Sequence, residues 1–226
     1  MNKRALKDGL YEQVARIGKA VSSPKRLELL ELLAQGEKTV EMLTHELSID
    51  TKLASAHLKC LREARLVTTR RDGKHVVYRL SGDDVADLWV QLRQVAEQHL
   101  LELQRALDQM KAAQEPLTPV GRKALLEQVR RGDVILIDVR PSIEYETAHL
   151  PHARSMPLAE LERRLSELPK NREIVAYCRG PFCLFADEAV HLLAARGYRV
   201  RKLADGVSEW RAAGLPLQTA NSAAAG

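Results

Sequence analysis

Two cysteines stand five residues apart in the stretch EIVAYCRGPFCLFADEAV, Cys178 and Cys183, in a chain that has only three. Apolar residues run into the first as a strand does and resume after the second as an amphipathic helix, so both thiols fall in a strand-to-helix loop. Successive backbone N–H groups entering a helix make an anion cradle, and the helix dipole reinforces it. A thiolate or persulfide anion is stabilised there. Cysteines at helix N-termini titrate at about 3.5–7.5, against about 8.5 for an unperturbed thiol. Cys178 is therefore expected to be largely thiolate at neutral pH, cradled by Arg179, Gly180, Phe182 and Cys183. Gly180 lets the backbone curl around the sulfur, and Pro181 removes one donor. Cys183, about one helical turn on, is placed to attack a sulfur carried by Cys178, releasing sulfide as a disulfide closes or holding sulfur as a polysulfide bridge. The alternative is a pair of buried packing cysteines, and Gly-Pro between them is poor core material.

The elements that must position this loop read as an α/β domain. DVILIDV and REIVAYC are short, continuously apolar strands, DEAVHLLAARG is a helix ending on Gly197, and YRVRKLADG is a further strand and its exit. Strand and helix in alternation give a parallel sheet, whose ligands gather beyond the carboxyl ends of the strands. Cys178 sits at such an end. From Ala5 to about Ala112, by contrast, the periodicity is helical almost throughout, and AAQEPLTPVG separates the two regimes with two prolines and a glycine. The expected division is a domain over 1–112, a linker over 113–118, a second domain over 119–217 and a disordered tail over 218–226. A chain of 226 residues that is 45% hydrophobic can fill two such cores. An odd cysteine count rules out a disulfide framework. Neither a leader sequence nor an apolar run near about 18 residues is present, so the expectation is a cytoplasmic protein without membrane contact.

In the first domain a helix is expected over about 5–20 and another from Pro24, after Ser22 and Ser23, to Gly36. TVEMLTHELSID and TKLASAHLKCLREARLV then form two helices separated by a tight turn near Ser48–Thr51, the spacing of a helix-turn-helix. In the second of these Ala54, Leu58 and Leu61 share one face, while Lys52, Ser55, Ala56, Lys59 and Arg62 share the other, with His57 beside them. A small, donor-rich face suits a major groove, where Ser and Lys reach bases or phosphates and Arg62 a phosphate. Two strands follow around Asp72-Gly73, with Val76, Tyr78 and Leu80 inward and Arg70, Arg71 and Lys74 at the tip against flanking phosphates. The net charge is only +5, yet residues 51–79 carry eight Lys/Arg against two acids. Such a patch points to a polyanionic partner, double-stranded DNA. A long helix over 83–111 carries Val85, Leu88, Leu92, Val95, His99, Leu103, Leu107 and Met110 as a stripe. A second subunit is its natural cover, giving a homodimer on a pseudo-palindromic operator. Cys60 reads as a small hydrophobe in the core, with a redox role as the alternative.

The chain over about residues 5–110, through the segment from Ser22 to Leu80 and its S-x-H-L-x-x-L-R-E-A-x-L-V core from Ser55 to Val67, resembles the ArsR-type family of small dimeric bacterial repressors, which leave their operator when an inducer binds. The cysteine pair that many relatives carry before the turn is absent from EKTVEMLTHEL. Of the other common metal site only His99 and Glu102 match, because Trp89 stands where its first histidine belongs; metal sensing is not expected. LIDVRPSIEYETAHLPHARSMPL, IVAYCRGPFC and LADGVSEWRAAGLPL resemble the rhodanese superfamily of sulfurtransferases. That resemblance implies a persulfide on Cys178, with Arg179 in the loop and Asp138 and Arg140 in the DVR turn that supports it. Cys183 replaces the family's closing arginine, which removes a cation for an anionic donor such as thiosulfate. Ala148 and His152 replace two signature glycines. The loop is one residue shorter than in related phosphatases and arsenate reductases, which argues against phosphate or arsenate.

The fold class expected is thus multidomain: a mainly α winged helix-turn-helix followed by an α/β rhodanese-like domain with a parallel sheet. The leading reading is a DNA-binding repressor whose second domain senses or transfers sulfane sulfur through Cys178 and Cys183, with a sulfane sulfur donor as its small partner and no cofactor. The rivals are a thiosulfate or polysulfide sulfurtransferase that uses the first domain for dimerisation or localisation, and a thiol oxidation sensor.

Overall fold

The computed structural model describes residues 2–111 and 121–220. The expected linker at 113–118 lies outside the described residues. The chain divides into two compact units, one ending at Trp89 and the other beginning at Val90.

In the first unit, helix α1 (Lys3–Val21) is capped by the Asn2 side chain, and α2 (Pro24–Leu33) starts on proline after Ser23. A short strand β1 (Lys38–Thr39) leads into α3 (Val40–Leu47), whose first turn is capped by the Thr39 hydroxyl. Ser48 adopts a left-handed φ of 51°, ending α3, and the Asp50 carboxylate accepts the Leu53 N–H at 2.9 Å to start α4 (Thr51–Glu63). One left-handed residue and one cap therefore make the tight turn between the two helices. Strands β2 (Val67–Asp72) and β3 (His75–Leu80) form the wing, and β1 pairs with the free edge of β3. Leu29, Leu30, Leu43, Leu58, Leu61, Tyr78 and Val85 fill the core.

Two details of the wing differ from expectation. Asp72 pairs with His75, so the two-residue loop is Gly73-Lys74 and not Asp72-Gly73. Gly73 has φ of 57° while Lys74 has no positive φ, the pattern of a turn with glycine at its first central position. Val76 is exposed rather than inward; it pairs with Arg71 beyond the end of β1, past the reach of the helical core.

The expected helix over 83–111 is two helices, α5 (Asp83–His99) and α6 (Leu101–Lys111). The Gln104 amide donates to the carbonyls of Glu97 at 2.9 Å and Gln98 at 3.3 Å, the acceptors that Leu101 and Glu102 would use in a continuous helix. A side chain inserted into the ladder breaks it. Helix α5 starts in the first unit and ends in the second. Its buried face runs through Val85, Ala86, Trp89, Val90 and Arg93, while Leu88, Leu92 and Val95 are exposed.

In the second unit, α7 (Arg122–Arg131) precedes β4 (Val134–Asp138), α8 (Ser142–Thr147), β5 (Arg154–Ser155) and α9 (Leu158–Leu161). After a 3-10 segment come β6 (Glu173–Tyr177), α10 (Phe185–Ala195), β7 (Val200–Lys202) and α11 (Val207–Ala212). The sheet is parallel, in the order β5-β4-β6-β7. Alternate residues feed two cores, Ile135, Ile137, Ile174 and Ala176 on one face and Val134, Leu136, Val175 and Tyr177 on the other. Burial on both faces is why these strands are apolar throughout, each large side chain contributing about 1.5–3 kcal/mol. Gln218, inside the expected tail, bridges to the His149 backbone and its side chain accepts the His152 N–H; residues 221–226 of that tail lie outside the described residues.

Candidate functional site

The cysteine loop sits where β6 ends. Strand alternation continues one residue past Tyr177, so Cys178 follows Ile174 and Ala176 into the core shared with Ala186 and Ala189 of α10. It is 1% exposed, and its thiol donates to the carbonyl oxygens of Cys183 at 3.4 Å and Gly180 at 3.9 Å. Cys183 is half-buried at the loop's outer end. Each thiol shifts the other's ionisation, the Cys178 S–H acting as a donor toward Cys183.

This placement disfavours the thiolate expected at Cys178. Burial, followed by the neighbouring Cys183 sulfur, holds the Cys178 thiol well above its ordinary range. Cys183 is lowered to about 7, first by the hydrogen bond from Cys178 and then by the N–H groups of Arg179 and Phe185. These surroundings favour the anion at Cys183, which keeps amide donors, and disfavour it at Cys178 among apolar neighbours. The N–H groups of Arg179 and Phe185 lower the Cys183 thiol, and those of Ala186 and Gly180 offset part of the rise at Cys178, so Arg179 and Gly180 of the expected cradle contribute with Phe185 and Ala186 beside them. The Cys183 N–H instead closes a turn on the Gly180 carbonyl at 3.2 Å.

The remaining expected site residues hold the loop rather than face it. Arg179 turns inward to a two-pronged ion pair with Glu144 of α8, at 2.8 and 3.0 Å, and lies over the Phe185 ring. Asp138 and Arg140 pair at 2.6 Å with both side chains fully buried. Tyr177 donates to Asp138 at 2.6 Å and accepts the Leu150 N–H, while Arg140 also donates to the Ala148 carbonyl. This network ties β4, β6 and the following loop together, each polar group satisfied. His152 occupies a signature glycine position with a left-handed φ of 64°, its N–H held by Gln218.

Three residues that the sequence reading passed over surround the loop. A Cβ on Gly206 would lie 2.6 Å from the backbone of Cys178 and Arg179, so only glycine lets that segment pack. Glu209 of α11 accepts the Gly206 N–H at 2.7 Å, and its carboxylate lies against Gly180, where an added Cβ would come within 3.1 Å of it. Gly180 itself has φ of 146°. Arg93 of α5 pairs with Glu209 at 2.7 Å and lies over the Phe182 ring. A charged residue on a helix face otherwise made of Ala86, Trp89 and Val90 was the available signal for Arg93.

On the other unit, α4 buries Ala54, Leu58 and Leu61 and exposes Lys52, Ser55, Ala56, Lys59 and Arg62, with His57 half-buried. Cys60 is half-buried rather than a core residue. Arg71 and Lys74 are exposed at the wing. Arg70 is drawn into pairs with Glu37 at 2.8 Å and Asp72 at 3.0 Å. His99 ends α5 and Glu102 lies on α6, both exposed. Among the described residues no group of three or more His, Cys, Asp or Glu side chains is arranged to hold a metal ion, and no helix is long and apolar enough to cross a membrane.

Residues 23–69 match the arsR family of bacterial regulatory proteins, and residues 122–213 match the rhodanese-like domain. An HTH-type transcriptional regulator of Mycobacterium tuberculosis is 43% identical over 212 residues, spanning 93% of this chain and 92% of that protein. The chain belongs to the ArsR family. This ArsR-family regulator carries a rhodanese-like domain with a parallel four-stranded sheet after its winged helix-turn-helix. A sulfurtransferase of Allochromatium vinosum is 36% identical over 86 residues, covering 38% of the regulator and 78% of that protein. The homodimeric winged helix-turn-helix DNA-binding domain of a Mycobacterium bovis protein, solved in solution, is 41% identical and covers 45% of the regulator and 93% of that chain, with a TM-score of 0.42.

Proposed function

We propose that this regulator is a homodimeric repressor that reads sulfane sulfur through the Cys178–Cys183 pair. The observation that carries the reading is the pair itself: two free cysteines in one strand-to-helix loop, Cys178 buried with its sulfur 3.4 Å from the Cys183 carbonyl oxygen and Cys183 half-buried, with surroundings that lower the Cys183 thiol and raise that of Cys178. The order of attack follows. The Cys183 thiolate attacks the sulfane sulfur of a polysulfide, the donor's S–S bond breaks, and the electron pair leaves with the shortened donor. Cys178 then loses its proton and has two targets on the Cys183 persulfide. Attack on the outer sulfur leaves a persulfide on Cys178 and returns the Cys183 thiolate. Attack on the inner sulfur joins the two cysteines and expels hydrosulfide, so that two thiols are oxidised and one sulfane sulfur is reduced.

The DNA side rests on α4, whose outward Lys52, Ser55, Ala56, Lys59 and Arg62, with His57, suit a major groove, and on Arg71 and Lys74 of the wing. The exposed Leu88, Leu92 and Val95 of α5 support a second copy as the partner of that helix. Sulfur loading can change operator affinity only by stabilising one of the two states more than the other.

The test pairs intact-mass spectrometry with gel shift on a duplex selected by the reduced protein from a random pool. Polysulfide is expected to add sulfur mass, or remove two hydrogens, at Cys178 and Cys183 and to weaken DNA binding at least tenfold. Equal loss after peroxide, with no sulfur retained, identifies a thiol oxidation sensor instead. Full loading with unchanged affinity overturns the regulatory reading, and rapid thiosulfate or polysulfide turnover indifferent to DNA points to a sulfurtransferase.

A further inference from the structure

Helix α5 is the only described helix that belongs to both compact units, and one side chain on its second half reaches the cysteine loop. Arg93 is 4% exposed, and its guanidinium satisfies three groups at once. It pairs with Glu97 one turn on, with Glu209 at 2.7 Å, and lies 5.6 Å from the centre of the Phe182 ring. Phe182 is the residue before Cys183. Glu209, 4% exposed, in turn touches both sides of the Cys178 segment: it holds Gly206, which is jammed against the backbone of Cys178 and Arg179, and it abuts Gly180. A cavity of about 290 Å³ beside these groups is lined by Arg93, Pro181, Lys202 and Glu209. It leaves the loop room to move on this side. Lys202, on its wall, binds Asp187 at 2.6 Å and the Cys183 carbonyl at 3.4 Å.

We infer that Arg93 is a positioning residue that couples the cysteine loop to helix α5, by clamping Phe182 and Glu209 in one arrangement while the pair is reduced and releasing or shifting when it is loaded. This rests on the regulatory reading above and names its route. The physical basis is that the contact is buried and discrete. A buried guanidinium cannot follow a displaced Phe182 or Glu209 gradually without leaving a charge unpaired, which is costly in a poorly solvated site. The loop must change to accept sulfur, because Cys178 is sealed in the core and Gly180 and Gly206 have no slack around it. An added sulfur atom or a new bond between the cysteines displaces Phe182 or the Gly180 turn. Arg93 either moves with them, carrying α5, or loses its partners. Because α5 places Val85 in the core of the winged unit, a shift of this helix is felt where α4 is held.

Arg93→Gln in the full-length chain tests the link, with inorganic polysulfide as the sulfur probe and the selected duplex as the DNA probe. The variant is expected to take up sulfur at the pair to the wild-type extent by mass spectrometry, while its change in DNA affinity on loading falls at least fivefold below that of the wild type. Binding is reciprocal, so duplex DNA must also shift the equilibrium extent of sulfur loading at the pair in the wild type, read by mass spectrometry at fixed polysulfide, and this shift must vanish in the variant. A variant that responds to loading like the wild type overturns the inference while leaving the regulatory reading intact; a wild type that does not respond overturns the regulatory reading itself. Should Arg93→Gln not fold, the pair Arg93→Gln with Glu209→Gln removes the two buried charges together and leaves only the half-buried Glu97 without Arg93; the same loss of response is expected, and a full response counts against the inference. Phe182→Leu, which keeps an apolar side chain but no ring under the guanidinium, must reduce the response as well, and a full response there counts against the inference.

Discussion

The hydrogen bond from Cys178 is the first cause of the lowered Cys183 value, so removing that donor has a calculable effect. With its value at about 7, Cys183 is half thiolate at pH 7. In Cys178→Ala it moves toward the ordinary value of about 8.5, where roughly 3% is thiolate at the same pH. The thiolate fraction at pH 7 thus falls about 15-fold. Intrinsic nucleophilicity moves the other way, since a Brønsted slope of about 0.4–0.5 over about 1.5 pH units raises the reactivity of each thiolate about fivefold. The alkylation rate at pH 7 therefore falls only about threefold, and the midpoint of the rate-against-pH curve is the more decisive quantity. Iodoacetamide labelling between pH 5.5 and 10, read at the Cys183 peptide by mass spectrometry so that Cys60 does not interfere, measures it. The expected midpoint is near 7 in the wild type and at least one unit higher in Cys178→Ala. Cys178→Ser retains a hydroxyl donor and is expected between the two. A Cys178→Ala midpoint that stays near 7 in a folded protein refutes the reasoning and assigns the shift to the loop amides alone.

Two further outcomes follow from the same geometry. Arg71 is exposed, whereas Arg70 is held by Glu37 and Asp72; Arg71→Ala is expected to lower the slope of log K against log salt by about 0.9 for each phosphate it no longer neutralises, and Arg70→Ala by clearly less, in DNA-binding titrations at several salt concentrations. Gly206→Ala drives a methyl group to 2.6 Å from the Cys178 and Arg179 backbone; urea unfolding should show a loss of about 1–3 kcal/mol, and the Cys183 titration midpoint should move with the displaced loop.

Much of this was legible in the residues alone, and for a common reason. The helix-turn-helix, the wing, the parallel strands of the second unit and the loop holding both thiols all follow from local pattern: period 3.6 or 2, proline at the start of α2, and glycine at the wing turn. The outward face of α4 was readable because Ala54, Leu58 and Leu61 must turn inward together. What local pattern could not supply was anything that depends on distant neighbours. The break at Leu100 comes from Gln104 reaching back to Glu97 and Gln98, a side-chain choice that periodicity does not register. Arg179 looked available for chemistry until Glu144, 35 positions away, took both prongs of its guanidinium.

The division of labour between the two thiols shows the limit most clearly. Their types, spacing and place between a strand and a helix are properties of the sequence, and they suffice to announce sulfur chemistry. Which of them carries the charge is decided by packing: strand alternation sends Cys178 under α10, where desolvation favours the thiol, and leaves Cys183 at the rim with amides and solvent to favour the thiolate. Ionisation depends on the surroundings of an atom in three dimensions, and a linear order of residues names those surroundings only once the chain has folded.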